Sequence, residues 1–532
     1  MSSKITIISD LDQLKVDLHA DKHPSKTIIE NNALSESVWR VDNDQSSAEI
    51  TSKDGSVKYL VRGELVVKDQ VSSSSQTAKA PCVILIPKGS QVSTTQSEDC
   101  KIIHINSSAA DQLLSRYGDY EKRLEELIDR FIAANPTSEA NAKRATSALP
   151  GGNTRTVLHS SPFPLIIKSG QGCSVTSAEG VDYVDLISEY SACMFGHSHP
   201  AILDAIQRAA SIGINLSGVT EYEVQFAELV KKRFPSMELM RFCNSGTEAN
   251  TMALAAALHY TKKRKVLVFL GGYHGGTLAF AKEHDPVRLP HEFVIGTYND
   301  VEGTRKLMDS SIGAILVEPM KSAGGMIPGT REFLSYLREA ATACGAVLIF
   351  DEVVTSRLHY HGLQGYHDIT PDMTTLGKYI GGGFAFGAFG GRQEIMATFD
   401  PASPSAISHS GTYNNNIFTM IAGIAGCHIL GTEEISRTNE LGDLLRDGIN
   451  EAVTSRGSKA IWATGHGSAI GLHFESEIVK DCFYFELLER KIMIGRRGFT
   501  SLNIMHKKEH MEQVLEVIVS LLDRYDTYST SK

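Results

Sequence analysis

The sequence predicts an α/β fold built on a mixed, mostly parallel sheet, with a small all-β domain ahead of it and a smaller α+β domain after it. Three observations predict this. From about residue 140, short apolar runs at 265–270, 314–317 and 346–350 alternate with long stretches of helical periodicity, the pattern of a parallel sheet covered on both faces. Residues 1–107 instead carry regularly spaced β-branched runs separated by Ser, Asp and Gly turns. After about Gly426 the helical patterns mix with short strands. The expected division is 1–107, a linker at 108–139, a large domain at 140–425 and a small one at 426–532.

In the first of these, runs at 57–61 and 65–67 flank Gly63-Glu64 and read as two strands around a tight turn. Runs at 83–86, followed by Pro87-Lys88-Gly89, and at 102–105 add two more, suggesting a small barrel or sandwich. The order of a strand into Arg62-Gly63-Glu64-Leu65, a serine-rich loop at 72–75 and then Leu85-Ile86-Pro87-Lys88-Gly89-Ser90 resembles a cupin. A metal-binding cupin needs convergent His and Glu side chains, and these strands offer only Glu64 and His104, so no metal is expected. The domain reads as structural or dimerising. From 109 to 134 the period changes to 3.6, with Leu124, Leu127, Ile128, Phe131 and Ile132 forming one apolar stripe that Asn135-Pro136 ends.

A chain of 532 residues exceeds what one core usually serves, in line with two or three domains. Its 52 basic and 62 acidic residues give a net charge of -10, which offers no basic footprint for nucleic acid or an anionic membrane and favours small-molecule chemistry. The eight cysteines form no CxxC pair, so they read as buried thiols in a reducing compartment rather than a disulfide framework or zinc site. With neither an apolar run long enough to span a membrane nor a signal-peptide pattern, the cytoplasm is expected.

In an open parallel sheet the ligand sits at the carboxyl ends of the strands. Four clusters fall at such ends or at helix starts. Asn244-Ser245-Gly246-Thr247-Glu248-Ala249-Asn250 opens a helix, where hydroxyls, a glycine backbone and unpaired N–H groups make an anion site. The same text fits an ordinary capping box, Ser245 with Glu248. Gly271-Gly272-Tyr273-His274-Gly275-Gly276 follows a strand, and an aromatic flanked by glycines there can lie flat on a planar cofactor or simply pack in a turn. Asp351 ends the run 347–350, where a buried carboxylate needs a cationic partner or a shifted pKa. Lys378, 27 residues on and ahead of Gly381-Gly382-Gly383, can form a Schiff base once its pKa is lowered. A phosphate cup, an aromatic stacker, a buried acid and an imine-forming amine are the parts that pyridoxal 5'-phosphate requires.

Pro150-Gly151-Gly152-Asn153-Thr154-Arg155, Gly196-His197-Ser198-His199-Pro200, Glu318-Pro319, Phe350-Asp351-Glu352-Val353, Leu376-Gly377-Lys378 and Gly411-Thr412-Tyr413-Asn414-Asn415-Asn416 join these clusters in one order. Residues from about 140 to 525 thereby resemble fold-type I, class III aminotransferases, in the branch of glutamate-1-semialdehyde 2,1-aminomutase and the β-amino acid aminotransferases of β-phenylalanine type. The resemblance implies that Lys378 is the Schiff-base lysine and the base that moves a proton, and that Asp351 pairs with the pyridine nitrogen. It implies that Val353 packs on the ring face opposite Tyr273 and its neighbour His274, and that Ser245, Gly246 and Thr247 form the phosphate cup. Thr412 would be a phosphate ligand donated by a neighbouring subunit, so that the sites are shared in a homodimer. Arg155 would meet a substrate carboxylate. The text around Glu189 and Tyr190 is closer to the β-amino acid enzymes than to the aminomutase. Arg496-Arg497 can supply a second carboxylate contact or be a charged turn.

The function expected is pyridoxal-phosphate-dependent transamination between an amino donor, a β-amino acid or aromatic amine, and a 2-oxo acid. Its rivals are an aminomutase or amino-acid racemase on the same site, and a catalytically silent binding or regulatory protein in which the β-domain does the work.

Overall fold

The computed structural model describes residues 119–282 and 284–525 in full; ahead of residue 119 and beyond residue 525 it describes only the backbone of strands and helices. The chain divides into two compact units, one of Met1–Arg130, Phe474–Cys482 and Asp523–Lys532, the other of Phe131–His473 and Phe483–Leu522.

In the first unit the strands pair antiparallel into a five-stranded and a four-stranded sheet. Strands Ser56–Arg62, Glu64–Asp69, Cys82–Ile86 and Lys101–Asn106 cover the four β-branched runs. The first two are not a hairpin: Ser56–Arg62 pairs with Cys82–Ile86 and Lys101–Asn106, whereas Glu64–Asp69 pairs with Ser75–Lys79 and Gln91–Gln96. The chain therefore changes sheets between them, as at a corner of a double-sheet fold. The turn residue Gly63 and the side chains of Glu64 and His104 lie outside the described residues.

Helix Ser108–Ala134 carries the expected stripe, with Leu127 and Phe131 buried and Leu124, Ile128 and Ile132 half-buried. The Asn135 amide donates to the Phe131 carbonyl at 2.7 Å and closes it. Pro136 then starts a further helix, Pro136–Ala145, at the position where a missing N–H costs nothing.

The second unit is built on a seven-stranded sheet of β1 (Leu239–Cys243), β2 (Lys265–Phe269), β3 (Glu292–Gly296), β4 (Ile312–Val317), β5 (Val347–Asp351), β6 (Met373–Gly377) and β7 (Gly387–Gly391), in the order β1-β7-β6-β5-β4-β2-β3. Only β7 runs antiparallel to its neighbours. Alternation along β2, β4 and β5 loads both faces. Val266, Val268, Ala314, Leu316, Val347 and Ile349 pack with Ala249, Ala253, Leu254 and Ala257 of helix Gly246–Thr261. Leu267, Phe269, Ile315, Val317, Leu348 and Phe350 pack with Phe333, Leu334 and Leu337 of helix Arg331–Cys344. Each such Val, Leu, Ile or Phe side chain contributes about 1.5–3 kcal/mol, so the β2, β4 and β5 termini are firmly held.

A smaller sheet of Ile167–Gln171, Ser174–Ser177 and Asp182–Asp185 is completed by Ile492–Met493, which pairs parallel to the last of these. This pairing brings residues 493–504 beside 186–194: Leu186 N donates to Met493 O, Ser501 N to Leu186 O and Ile504 N to Met194 O, at 2.7–3.0 Å. Among the described residues, no helix is long and apolar enough to cross a membrane.

Candidate active site

Asp351 is the last residue of β5 and is 3% exposed. Its Oδ2 accepts from Asn250 Nδ2 at 2.9 Å and lies 2.8 Å from His274 Nδ1, and its Oδ1 accepts from Val353 N at 3.0 Å. A buried carboxylate needs such hydrogen-bond partners for its oxygens. Asn250 stands one turn into helix Gly246–Thr261; its amide also donates to the His274 carbonyl and accepts from Thr375 Oγ1, at 3.0 and 2.7 Å. One side chain thus ties the helix, β6 and the His274 loop to Asp351.

Lys378 follows β6 directly, in a left-handed backbone conformation at φ 54°. That conformation costs a non-glycine residue roughly 1–2 kcal/mol. Burial lowers its pKa from the ordinary lysine value, the charges of Asp351 and Glu318 oppose the shift, and the Arg155 guanidinium adds to it. Glu318 is buried, and burial raises its pKa; His274 acts against the rise and Asp351 with it. Its oxygens accept from the backbone N–H groups of Tyr273 and Ser322 at 2.9 and 3.0 Å, so it fixes the start of the aromatic turn. Glu352 is fully buried beside Asp351 and accepts from Leu363 N and Gln364 N at 3.0 and 2.8 Å, pinning the segment after β5.

Both readings of the Ser245 motif hold at once. Ser245 Oγ accepts from Glu248 N at 3.1 Å and a Glu248 carboxylate oxygen accepts from Asn244 N at 3.0 Å, a capping box. The N–H groups of Gly246 and Thr247 take no acceptor among the described residues and stand at the positive end of a 16-residue helix. Glycine is required around them. A methyl on Gly246 would come within 2.9 Å of Val353, one on Gly377 within 3.1 Å of it, and one on Gly275 would overlap the Thr247 hydroxyl. Thr247 Oγ1 itself accepts from Gly276 N at 3.2 Å, joining the helix start to the Tyr273 loop. The Tyr273 ring is 46% exposed, open to a ligand rather than packed away. Thr412 is exposed, and two residues on Asn414 accepts from Asn244 Nδ2 at 2.9 Å.

Arg155, Glu189 and Tyr190 come together. Arg155 pairs with the Glu189 carboxylate and its guanidinium lies 5.5 Å from the Tyr190 ring centre. Ser188, Glu189, Tyr190 and Ser191 all adopt positive φ, from 45° to 74°, a run of four that no glycine relieves. Arg496 is engaged elsewhere: its Nη1 donates to Ser160 Oγ at 2.8 Å and to the Ser161 carbonyl, and its guanidinium lies over Tyr484 and Phe485. Arg497 is exposed, and its charge acts on Tyr190, whose phenol is pushed up mainly by burial.

A family model described as aminotransferase class-III matches residues 157–522. The chain is a class III aminotransferase. This aminotransferase is 43% identical over 419 residues to a beta-phenylalanine transaminase of Variovorax paradoxus, a match covering 76% of the chain and 96% of the relative. It is 33% identical over 415 residues to glutamate-1-semialdehyde 2,1-aminomutase 1 of Listeria welshimeri, covering 71% and 96%. The crystal structure of a beta-phenylalanine aminotransferase from Variovorax paradoxus superimposes with a TM-score of 0.75 at 42% identity, covering 77% of this chain and 98% of that one.

Class III aminotransferases depend on pyridoxal phosphate, and the residues present in this aminotransferase fit that group. Free N–H groups at a helix start suit a phosphate, and the donor-supported Asp351 carboxylate suits a ring cation; Gly246 and Gly377 pack against Val353, and Gly275 against Thr247, too closely for a side chain, which seats the helix start against the Val353 segment and the Tyr273 loop. Sequence reasoning gave no role of their own to Asn250, Thr375, Glu352 and Asn414. Asn250 was legible as an amide facing inward on an otherwise alanine-rich helix; the other three carry no signal without the fold.

Proposed function

We propose that this aminotransferase moves the amino group of a β-amino acid, of β-phenylalanine type, to a 2-oxo acid. The observation that carries the donor class is the Arg155–Glu189–Tyr190 cluster, with Arg155 near enough to act on the Lys378 amine. The 43% identical transaminase named for beta-phenylalanine supports the same donor. Arg155 and Glu189 are 44% and 55% exposed, and an ion pair that open contributes about 0–1 kcal/mol, so a substrate carboxylate displaces Glu189 at small cost. The planar guanidinium then holds that carboxylate by two hydrogen bonds. Because Arg496 is tied to Ser160 and Ser161, we assign the second carboxylate contact to Arg497.

When bound, pyridoxal phosphate supplies a conjugated electron sink for charge left on the donor carbon. The N–H groups of Gly246 and Thr247, with the Ser245 and Thr247 hydroxyl positions around them, hold its phosphate. Tyr273 and Val353 clamp its ring, and Asp351, oriented by Asn250 and His274, keeps the ring nitrogen protonated. Lys378 Nζ, with its pKa lowered, takes the proton from the carbon bearing the amine and returns it later in the cycle. Thr412, exposed in the single chain, reaches the phosphate of a second copy, which makes the enzyme a homodimer with shared sites. The unit containing the antiparallel sheets is cupin-like and serves structure or dimerisation, and the enzyme works in the cytoplasm.

Single-turnover absorbance of the bound cofactor with a panel of amino donors tests the reading. β-Phenylalanine is expected to convert the cofactor to its amine form, and failure of every β-amino acid to do so sinks it. The 33% identity to an aminomutase keeps that activity as the second reading; turnover that persists with no 2-oxo acid present would select it.

A further inference from the structure

Cys193 lies two residues beyond the left-handed run, outside the cofactor site. Its Sγ is 3.6 Å from His197 Nδ1, and His197 Nε2 is 2.9 Å from Asp185 Oδ2. Asp185 is 3% exposed, and its Oδ1 accepts from the N–H groups of Ile187 and Ser188 at 2.8 and 3.2 Å. The three side chains form a row of thiol, imidazole and carboxylate that sets an imidazole nitrogen against the sulfur. Arg357, fully buried with hydroxyl and carbonyl partners, adds a positive charge that senses Cys193. Asp185 and Cys193 hold the His197 imidazole protonated, raising its pKa to about 10. Unlike Cys173, Cys243 and Cys482, which are buried, Cys193 is partly open to solvent.

We propose that Cys193 is a redox-modification site, oxidised by hydroperoxides and capped by a low-molecular-weight thiol, and that its modification disables the loop bearing Glu189 and Tyr190. The Cys193 thiolate attacks one oxygen of the hydroperoxide. An S–O bond forms, the O–O bond breaks, sulfur is oxidised by two electrons, and the leaving alkoxide or hydroxide takes the proton that His197 held. The sulfenic acid then condenses with a thiol such as glutathione: an S–S bond forms and water leaves. The loop is coupled to this sulfur because Cys193 N donates to the Ser188 carbonyl at 2.9 Å and Ala192 N to that of Glu189 at 3.1 Å, closing the strained turn at its base. The thiol chemistry is independent of the substrate assignment; the effect on the loop rests on it.

The test uses the holoenzyme. Alkylation by iodoacetamide, followed by mass spectrometry of each cysteine peptide, is expected to label Cys193 at least about ten-fold faster than the comparably open Cys344 and Cys427. His197→Gln is expected to remove that advantage. Equal rates at the three cysteines in the wild type overturn the proposal, whether or not the variant folds. Hydrogen peroxide with glutathione is then expected to place glutathione on Cys193 and to lower kcat/KM about ten-fold or more for any donor the enzyme turns over, with recovery on reduction and no loss in Cys193→Ser. Modified enzyme with unchanged kcat/KM overturns the coupling. If no donor is turned over at all, the functional reading has failed while the labelling result stands on its own.

Discussion

Asp351 and His274 meet across 2.8 Å with both side chains almost wholly sealed from water, 3% and 2% exposed. The contact joins the end of β5 to the loop after β2, so the carboxylate we assign to the ring nitrogen is tied to the loop that carries Tyr273. Asn250 holds both from the side, through the Asp351 carboxylate and the His274 carbonyl.

Asn250→Ala is expected to unfold with a stability loss of about 1–3 kcal/mol, because it leaves Thr375 and the His274 carbonyl short of partners in a dry interior. Pyridoxal-phosphate affinity falls with it. Urea unfolding and a cofactor titration measure the two, and wild-type values in both would dismiss the amide as a tether.

Lys378→Ala and Lys378→Gly are both expected to abolish turnover and the Schiff-base absorbance band. They differ in stability, since alanine keeps the left-handed strain and glycine releases it. The glycine variant is expected to be about 1 kcal/mol more stable than the alanine variant as apoenzyme. A reversed order in chemical denaturation would refute stored backbone strain at the lysine.

Gly275→Ala puts a methyl into the Thr247 hydroxyl at φ +120°. Overpacking and backbone strain together cost about 1–3 kcal/mol or more. Cofactor affinity is expected to drop at least about ten-fold, that is, by about 1.4 kcal/mol. Isothermal titration of the apoenzyme with pyridoxal phosphate reads it directly.

Arg155→Lys keeps the charge and loses the two-pronged geometry, whereas Arg155→Ala loses both. KM for the β-amino donor is expected to rise about ten-fold for the first and about 100-fold for the second, with kcat changed less. A donor KM untouched by either substitution removes Arg155 from the carboxylate site.

His506 is fully buried, and burial lowers its pKa from 6.5 to about 4. The unfolded chain then binds more protons than the folded one between those values, so stability is present above pH 6.5 and is lost as pH falls towards about 4. The shift corresponds to about 3 kcal/mol. In His506→Gln the acid-side loss shrinks by up to that amount, measured as unfolding free energy against pH; an unchanged acid limb contradicts it.

The structure brings together the residues that the sequence proposed for the cofactor, and their positions could be read locally because each sits at a strand end or helix start with its own signature. Asp351 closes an apolar run, Ser245 caps a helix, Tyr273 lies among glycines and Lys378 stands four residues after Thr374. The β2, β4 and β5 strands were read to within two residues for the same reason. The hairpin around Gly63 was misread because pairing partners are chosen by sheet assembly, not by the proximity of two runs. Arg496 and Arg497 are neighbours in sequence, and nothing local says that one ties down the turn at Ser160 and Ser161 while the other is exposed. Nor does anything local announce four consecutive left-handed residues, since the frame that imposes them comes from a strand three hundred residues later.

That frame has a consequence for biosynthesis. Every residue we assign to the cofactor has been added to the chain once Thr412 is made, but the turn carrying Glu189 and Tyr190 is braced by hydrogen bonds from its two ends to Met493, Ser501 and Ile504. The residues we assign to the cofactor thus precede in synthesis the segment that braces the residues we assign to the donor. On that assignment, the donor-facing turn is the part of the site that waits longest for its supporting strand, Ile492–Met493.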